Sequence, residues 1–298
     1  MSAAVVDLTN SPARRPRRAS GALTGGRRSA GIGGWLVLVL LLAFAIGPLV
    51  VFVFASFKTQ SELAANPLGP PAQLLWSNFA DAWTQANMGQ GLLNSLVIVV
   101  GTVAGVTIVS SLAAYAMARL DLPGGSTVIL YLLVTSSLPM QMFLVPLFYL
   151  WTQAGLYDSL IGLIIIYVAV FSPFATLLLR AFLLSLPREL EEAARIDGAG
   201  ELRIALRVVL PNAIPGLLTV ALVTALSAYN EFLFAVTFLQ NSALMPVSTA
   251  FFSFQTSYVQ NGVLNAAAGL IMLLPMLILF LLLQRRFVDG MANTGMSS

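Results

Sequence analysis

WLVLVLLLAFAIGPLVVFVFASF, Trp35 to Phe57, runs for 23 residues without a charged side chain. About 20 such residues, wound as a helix, cross the ~30 Å hydrocarbon core of a bilayer. Five more stretches read the same way: Leu92 to Ala118, Ser126 to Leu150, Ser159 to Leu179, a fifth from near Asn212 to near Leu239 with Glu231 inside it, and Val263 to Leu283. Of the 298 residues, 58% are hydrophobic and 9% charged, against about 25% charged in a soluble domain. The expected fold is an all-α membrane protein with six transmembrane helices.

The basic residues give an orientation. Lysine and arginine collect on the cytoplasmic side of a membrane. With the amino-terminal tail inside and the spans alternating, Arg14, Arg15, Arg17, Arg18, Arg27, Arg28, Arg119, Arg180, Arg188, Arg195, Arg203, Arg207, Arg285 and Arg286 all fall inside, and only Lys58 falls outside. Six spans with both termini cytoplasmic follow, and an odd number would break the pattern. Residues 1–34 form an Arg-rich tail of disorder-promoting composition, read as a topology anchor beside anionic lipid or as a nucleic-acid arm. Residues 35–286 form the membrane domain, and residues 287–298 a second cytoplasmic tail.

The chain has no cysteine and no histidine. That removes disulfides, thiol nucleophiles, histidine-based triads and most zinc sites. It has no G-x-x-x-x-G-K-[ST] phosphate loop, so any ATP that drives it is bound elsewhere. No catalytic residue and no metal ligand is assigned.

One segment departs from the apolar pattern. Pro187 to Pro211 is charged and regular, with Pro187 opening a helix and Glu189, Glu191 and Glu192 in its first turns, where the helix dipole favours anions. Glu191 and Arg195 stand four apart in the favourable order for an ion pair. Gly198-Ala199-Gly200 interrupts. A second helix follows from Glu201, with Leu202, Ala205, Leu206 and Val209 on one stripe, and Pro211 closes it. A connector needs no such structure, and anionic lipid would repel the acidic first half. The segment fits the surface of a soluble cytoplasmic protein.

Glu192-Ala193-Ala194, then Gly198, then Val208-Val209-Leu210-Pro211 resembles the EAA loop of ABC importer permeases, and Ile196 to Ala199 (IDGA) is typical of the sugar-importing branch. Leu92 to Leu96, Leu138 to Phe148, Tyr229 to Ala235 and Gln284 to Met291 extend the resemblance to the maltose-permease G-type subunits. It implies a type I importer permease fold whose loop is a coupling helix, with Glu191, Glu192, Ala193, Ala194, Asp197, Gly198, Ala205, Leu206, Leu210 and Pro211 at the ATPase contact. Where many relatives carry a large aromatic this chain has Ala205, and the family's C-terminal lysine is missing. The implied partners are a second homologous permease subunit, two ATPase subunits that hold ATP and Mg, and an extracellular or periplasmic substrate-binding protein. The implied location is the bacterial cell membrane, as a multi-pass protein. This chain itself binds no cofactor and no nucleic acid in that reading.

An ionisable residue inside a span marks a functional site by default. Tyr229, Asn230 and Glu231 offer a ring, an amide and a carboxylate, a set that suits a sugar and equally a polar clamp between helices. Gln141 joins them as a candidate for the substrate path. Asn94, Ser95, Ser110, Ser111, Ser136 and Ser137 extend it or pack helices. Trp76, Phe79 and Trp83, in the outer loop, read as an interfacial aromatic helix or as a docking surface. The reading is a sugar-importer permease subunit. Its alternatives are a permease for another small solute and, further off, an ion-coupled secondary transporter, which would carry inverted repeats and several buried ionisable groups.

Overall fold

In the computed structural model residues 32–258 and 261–295 are described. The chain divides into two compact units, 1–47 and 48–298. The Arg-rich tail up to residue 31 lies outside the described residues. The described part of the first unit is the leading half of helix α1, Ile32–Ser56, which ends close to the expected Phe57.

All elements among the described residues are helical. After α1 come α2 (Gln60–Ala65), α3 (Ser77–Gln85), α4 (Met88–Arg119), α5 (Gly125–Ser137), a 3-10 turn (Met140–Phe143), α6 (Leu144–Ala154), α7 (Leu160–Leu184) and α8 (Glu189–Ile196). Then α9 (Glu201–Ile204), a π-helical turn (Ala205–Val209), α10 (Leu210–Asn212), α11 (Ile214–Asn230), α12 (Leu233–Phe238), α13 (Val247–Ser257) and α14 (Gly262–Gly295) follow. Four helices are long and apolar enough to cross a membrane, or up to six if each of two bent pairs counts as one span.

Two expected spans are not single helices. The third bends by 92° between α5 and α6. Pro139 has no N–H to give and forces Leu138 into extended backbone, so the helix stops there and restarts through the 3-10 turn. The fifth ends at Asn230, and Glu231 is extended rather than inside a helix. The last differs in length: α14 runs on to Gly295, where a tail was expected from residue 287.

The centre of the second unit is the pair α4 and α7. Gly101 and Gly105, one turn apart on α4, face Ile164 and Val168; a Cβ would stand 2.8 Å from Ile164 Cδ1 and 2.5 Å from Val168 Cγ2. Only glycine allows that approach, which in lipid replaces hydrophobic attraction with dense van der Waals contact. The contacts of α4 define two ends. At one, here the basic end, Arg119 donates to Leu186 O at 3.1 Å and Arg188 to Ala118 O at 3.4 Å. At the opposite end Asn94 donates to Ala243 O and Met245 O at 2.8 and 3.0 Å. Asp158, just before α7, accepts there from the N–H groups of Gln240 and Asn241 at 2.9 and 3.0 Å.

The opposite end also holds the loop from Lys58. Its ammonium is fully buried and donates to Asn66 O at 2.6 Å. Phe57, Trp76 and Phe79 pack ring on ring, with centroids 4.9 to 5.9 Å apart, and tie the start of α3 to the end of α1. The aromatic triplet read from the sequence is therefore divided: Phe79 faces inward, while Trp76 and Trp83 stay exposed.

Candidate functional site

At the basic end the segment 187–211 folds as two short helices on a glycine turn. Gly198 has φ +80, a left-handed conformation that closes α8: Gly198 N–H reaches Arg195 O and Ala199 N–H reaches Ala194 O, both at 3.0 Å. A Cβ on Gly198 would meet nothing within 4 Å. The glycine is therefore required by the backbone angle and not by crowding inside this chain.

The side of the loop that faces the bundle is welded down. Ile204, Ala205 and Val209 are buried with Tyr115, Ala118, Leu179 and Leu183. The stripe read from the sequence splits here. Ala205 and Val209 turn inward with Ile204, while Leu202 and Leu206 point out, 64% and 52% exposed. Val208, half-buried, completes the inner face with Ile204, Ala205 and Val209. Pro211 does not close the second helix. The π turn widens the chain ahead of it, where the proline ring would clash with a regular turn, and helix continues to Asn212.

The ion pairs also differ from the expectation. Glu191 does not pair with Arg195. It turns inward to Arg119, Oε1 to Nε 2.7 Å, and both side chains are almost fully buried. The contact is a charge pair without an aligned N–H at that nitrogen. Arg195 instead forks onto Glu201, at 2.7 and 3.2 Å, and Tyr115 donates to the same carboxylate at 2.6 Å. First Arg195 and then Tyr115, by hydrogen bonding, hold the Glu201 carboxyl below its ordinary range. Glu191 and Ala205, expected at a partner contact, are thus withdrawn into the chain's own packing.

The outer face carries Glu192, Ala193, Asp197, Gly198 and Leu206, with Ala194 and Leu210 half-buried at its edge and Pro211 exposed beyond. It also carries Ile196, 87% exposed, and Leu202. The sequence reading set Leu202 on one stripe with Ala205, Leu206 and Val209, and gave neither Leu202 nor Ile196 a contact role. Their signal was legible: apolar side chains that interrupt a charged helix without joining its inner face.

The turn 229–231 is built differently from a ligand site. Tyr229 donates to Met272 O at 2.6 Å. Buried Glu231 accepts from the backbone N–H groups of Phe234 and Ala235, at 3.0 and 3.2 Å, and from the Tyr167 hydroxyl. It caps α12, whose first N–H groups would otherwise be unsatisfied in an apolar setting. Asn230 is exposed and donates to Leu226 O, and Gln141 is exposed in the 3-10 turn. Asn94 and Ser95 hold backbone of the loop Ala243–Val247.

None of Tyr229, Asn230, Glu231 and Gln141 lines a cavity of about 530 Å³ between α5, α6, α7 and α11. That volume lies within the ~300–1,000 Å³ of small-molecule sites. The cavity offers the hydroxyls of Tyr131, Thr135, Ser136, Thr224 and Ser227 beside the rings of Phe143, Phe171 and Phe174, and none of its lining residues is an acid or a base. Of those hydroxyls, only that of Ser136 stood out in the sequence. The break at Pro139 that opens the cavity was the clue to the others.

Residues 110–293 match the family described as binding-protein-dependent transport system inner membrane component. Among curated proteins the chain is similar to the diacetylchitobiose uptake system permease NgcG of Streptomyces coelicolor, 34% identical over 92% of this chain and 91% of that one. It is also similar to the melibiose/raffinose/stachyose import permease MelC of Bacillus subtilis, 32% identical over 83% of this chain and 89% of that one. Among solved structures, a chain of a bacterial ABC transporter that imports the acidic polysaccharide alginate superposes with a TM-score of 0.74, at 22% identity, over 86% of this chain and 96% of that one. That likeness is one of fold.

Proposed function

The chain belongs to the family of binding-protein-dependent transport system inner membrane components, and from that premise we propose that it is one permease subunit of an ATP-driven sugar importer. It lies in the bacterial plasma membrane with six crossings and both termini in the cytoplasm. The arginine distribution supports this, and so do the two ends of the bundle. Arg119 and Leu186 meet at the basic end while Asp158 meets Gln240 at the other. This arrangement supports reading the bent pair α5–α6 as one broken crossing rather than as a re-entrant loop. The basic end is then cytoplasmic.

The observation that carries the function is the loop 187–211. It is fixed to the bundle on one face and presents Ile196, Leu202 and Leu206 to solvent on the other. Exposed apolar side chains on a rigid, charged support fit a protein partner better than water. We assign that partner as an ATPase subunit, which would hold ATP and Mg, met by Glu192, Ala193, Ala194, Asp197, Gly198 and Leu206. Leu210 and Pro211 flank that face. A second homologous permease completes the pore, and an external binding protein delivers substrate. Carbohydrate is the substrate class named for both relatives. The hydroxyl-bearing, uncharged cavity with three phenylalanines suits a polyol with apolar ring faces.

The test is purification of the tagged chain from its native membranes. Two ATPase subunits and a second permease should come with it, and reconstituted vesicles should take up diacetylchitobiose or melibiose only with MgATP inside and the binding protein outside. A chain that purifies alone and transports on a proton or sodium gradient overturns the proposal.

A further inference from the structure

Helix α4 differs from every other membrane-length element among the described residues. α1 contains Pro48, α7 Pro173 and α14 Pro275. The pair α5–α6 bends by 92°, and the approach to α11 bends by 79°. α4 runs for 32 residues from Met88 to Arg119 without proline or break. A helix of that kind resists bending, because kinks concentrate at proline and at breaks in the hydrogen-bond ladder.

Both of its ends are clamped to loops that belong to other parts of the chain. At the cytoplasmic end Arg119 and Glu191 form the buried ion pair, Tyr115 holds Glu201, and the last carbonyls of α4 are capped by arginines. Arg180 donates to Met117 O at 3.3 Å and Arg188 to Ala118 O at 3.4 Å. The coupling loop is joined covalently to α7 and α11 and packs against α4 and α7 alike, but its buried Glu191 and its Glu201 both take their inward partners from α4. At the outer end Asn94 donates to two carbonyls, Ala243 O and Met245 O, and Ser95 Oγ accepts from Val247 N–H at 2.9 Å. Gln90 donates to Asn94 Oδ1 at 3.0 Å, which fixes the amide's orientation. Gly91 lets the loop close in, since a Cβ there would stand 3.1 Å from Val247 Cα. Side chain to backbone bonds of this sort leave no slack. From Asn94 to Arg119 the helix spans about 38 Å at ~1.5 Å per residue.

We propose that α4 is a rigid strut that carries movement of the ATPase-facing loop across the membrane to the outer loop Ala243–Val247, with Arg119 and Asn94 as the positioning residues at its two ends. The proposal rests on the permease reading. In it, a closing ATPase pair displaces loop 187–211, the buried Arg119–Glu191 pair moves α4 with it, and Asn94 shifts the surface that the binding protein meets.

The chain lacks cysteine, so Ser242→Cys gives a single spin-label site on this chain beside the outer clamp, with any cysteines of the partner subunits replaced. The complex, purified whole, is measured with and without MgATP and vanadate. In the otherwise unchanged chain, label mobility should change on trapping. In Asn94→Ala the change should fall at least about fivefold, a coupling loss at the low end of allosteric energies, while the ATPase subunits stay bound and basal hydrolysis is kept. Arg119→Met with Glu191→Leu should do the same from the other side; exchanging both charges for apolar groups of similar size avoids an orphaned buried ion. If Asn94→Ala fails to insert, Ser95→Ala removes one acceptor only and takes its place. A full mobility change in both kinds of variant overturns the strut alone. So does an unchanged label in a parent complex that hydrolyses ATP. A parent chain that retains no ATPase subunit overturns the permease reading and the strut with it.

Discussion

At the scale of single residues, Gly198 and Glu231 separate a backbone requirement from a chemical one. Gly198→Asn should keep ATPase-subunit binding, because asparagine accepts the left-handed region and the space around Gly198 is open. Gly198→Asp adds a negative charge beside Asp197 and Glu201, and co-purification of the ATPase subunit should fall sharply. Equal retention in both variants would remove Gly198 from the contact. Glu231→Gln places an amide donor against groups that themselves donate. It should cost about 1–3 kcal/mol, seen as a lower melting temperature in detergent. Unchanged melting with lost uptake would return Glu231 to the substrate path. The pH response of Glu201 has a fixed sign. Its folded carboxyl titrates below the ordinary 4.5, so its stabilising contact with Arg195 is present above that pH and is lost as the pH falls through the folded value. Acid titration of ATPase capture should therefore be flat above about pH 4.5 and should decline below it less steeply in Glu201→Gln.

At the scale of elements, what could be read from the sequence depended on whether local signals and packing agreed. The α4, α7 and α14 spans were legible because uncharged length alone commits them to the membrane. The third expected span is instead two helices bent at Pro139, a break that the strong apolar run around it hides in the sequence. The fifth was extended too far because neither Glu231 nor Phe232 is a helix breaker; the break is set by Glu231, which caps α12 and is held by the Tyr167 hydroxyl, a partner remote in sequence. In the loop 187–211 the Gly198 turn and the two helices were legible. The inward turn of Glu191 was not, because its partner Arg119 lies on another helix. The α4–α7 seam gives an element-level prediction. Gly105→Leu should lower detergent stability by roughly 1–3 kcal/mol, the usual cost of overpacking, with Gly101→Ala milder because the Ile164 side chain can shift. A Gly105→Leu chain that melts like its parent would mean the seam is loose.

At the scale of the whole molecule, topology is the first thing to check. Cysteines at Gln73 and Asn241 should react with an impermeant maleimide in intact cells, while one at Glu189 should react only after permeabilisation. Labelling at Glu189 from outside would invert the orientation and separate the loop from any ATPase. The uncharged lining of the 530 Å³ cavity has an electrical consequence. Moving one elementary charge through a membrane potential costs or releases about 2.3 kcal/mol per 100 mV. A wall of hydroxyls and rings brings no fixed charge into that field and selects a cargo that brings none. Under the proposed permease function each turnover should then be electrically silent, so uptake into vesicles clamped at opposite potentials should proceed at the same rate.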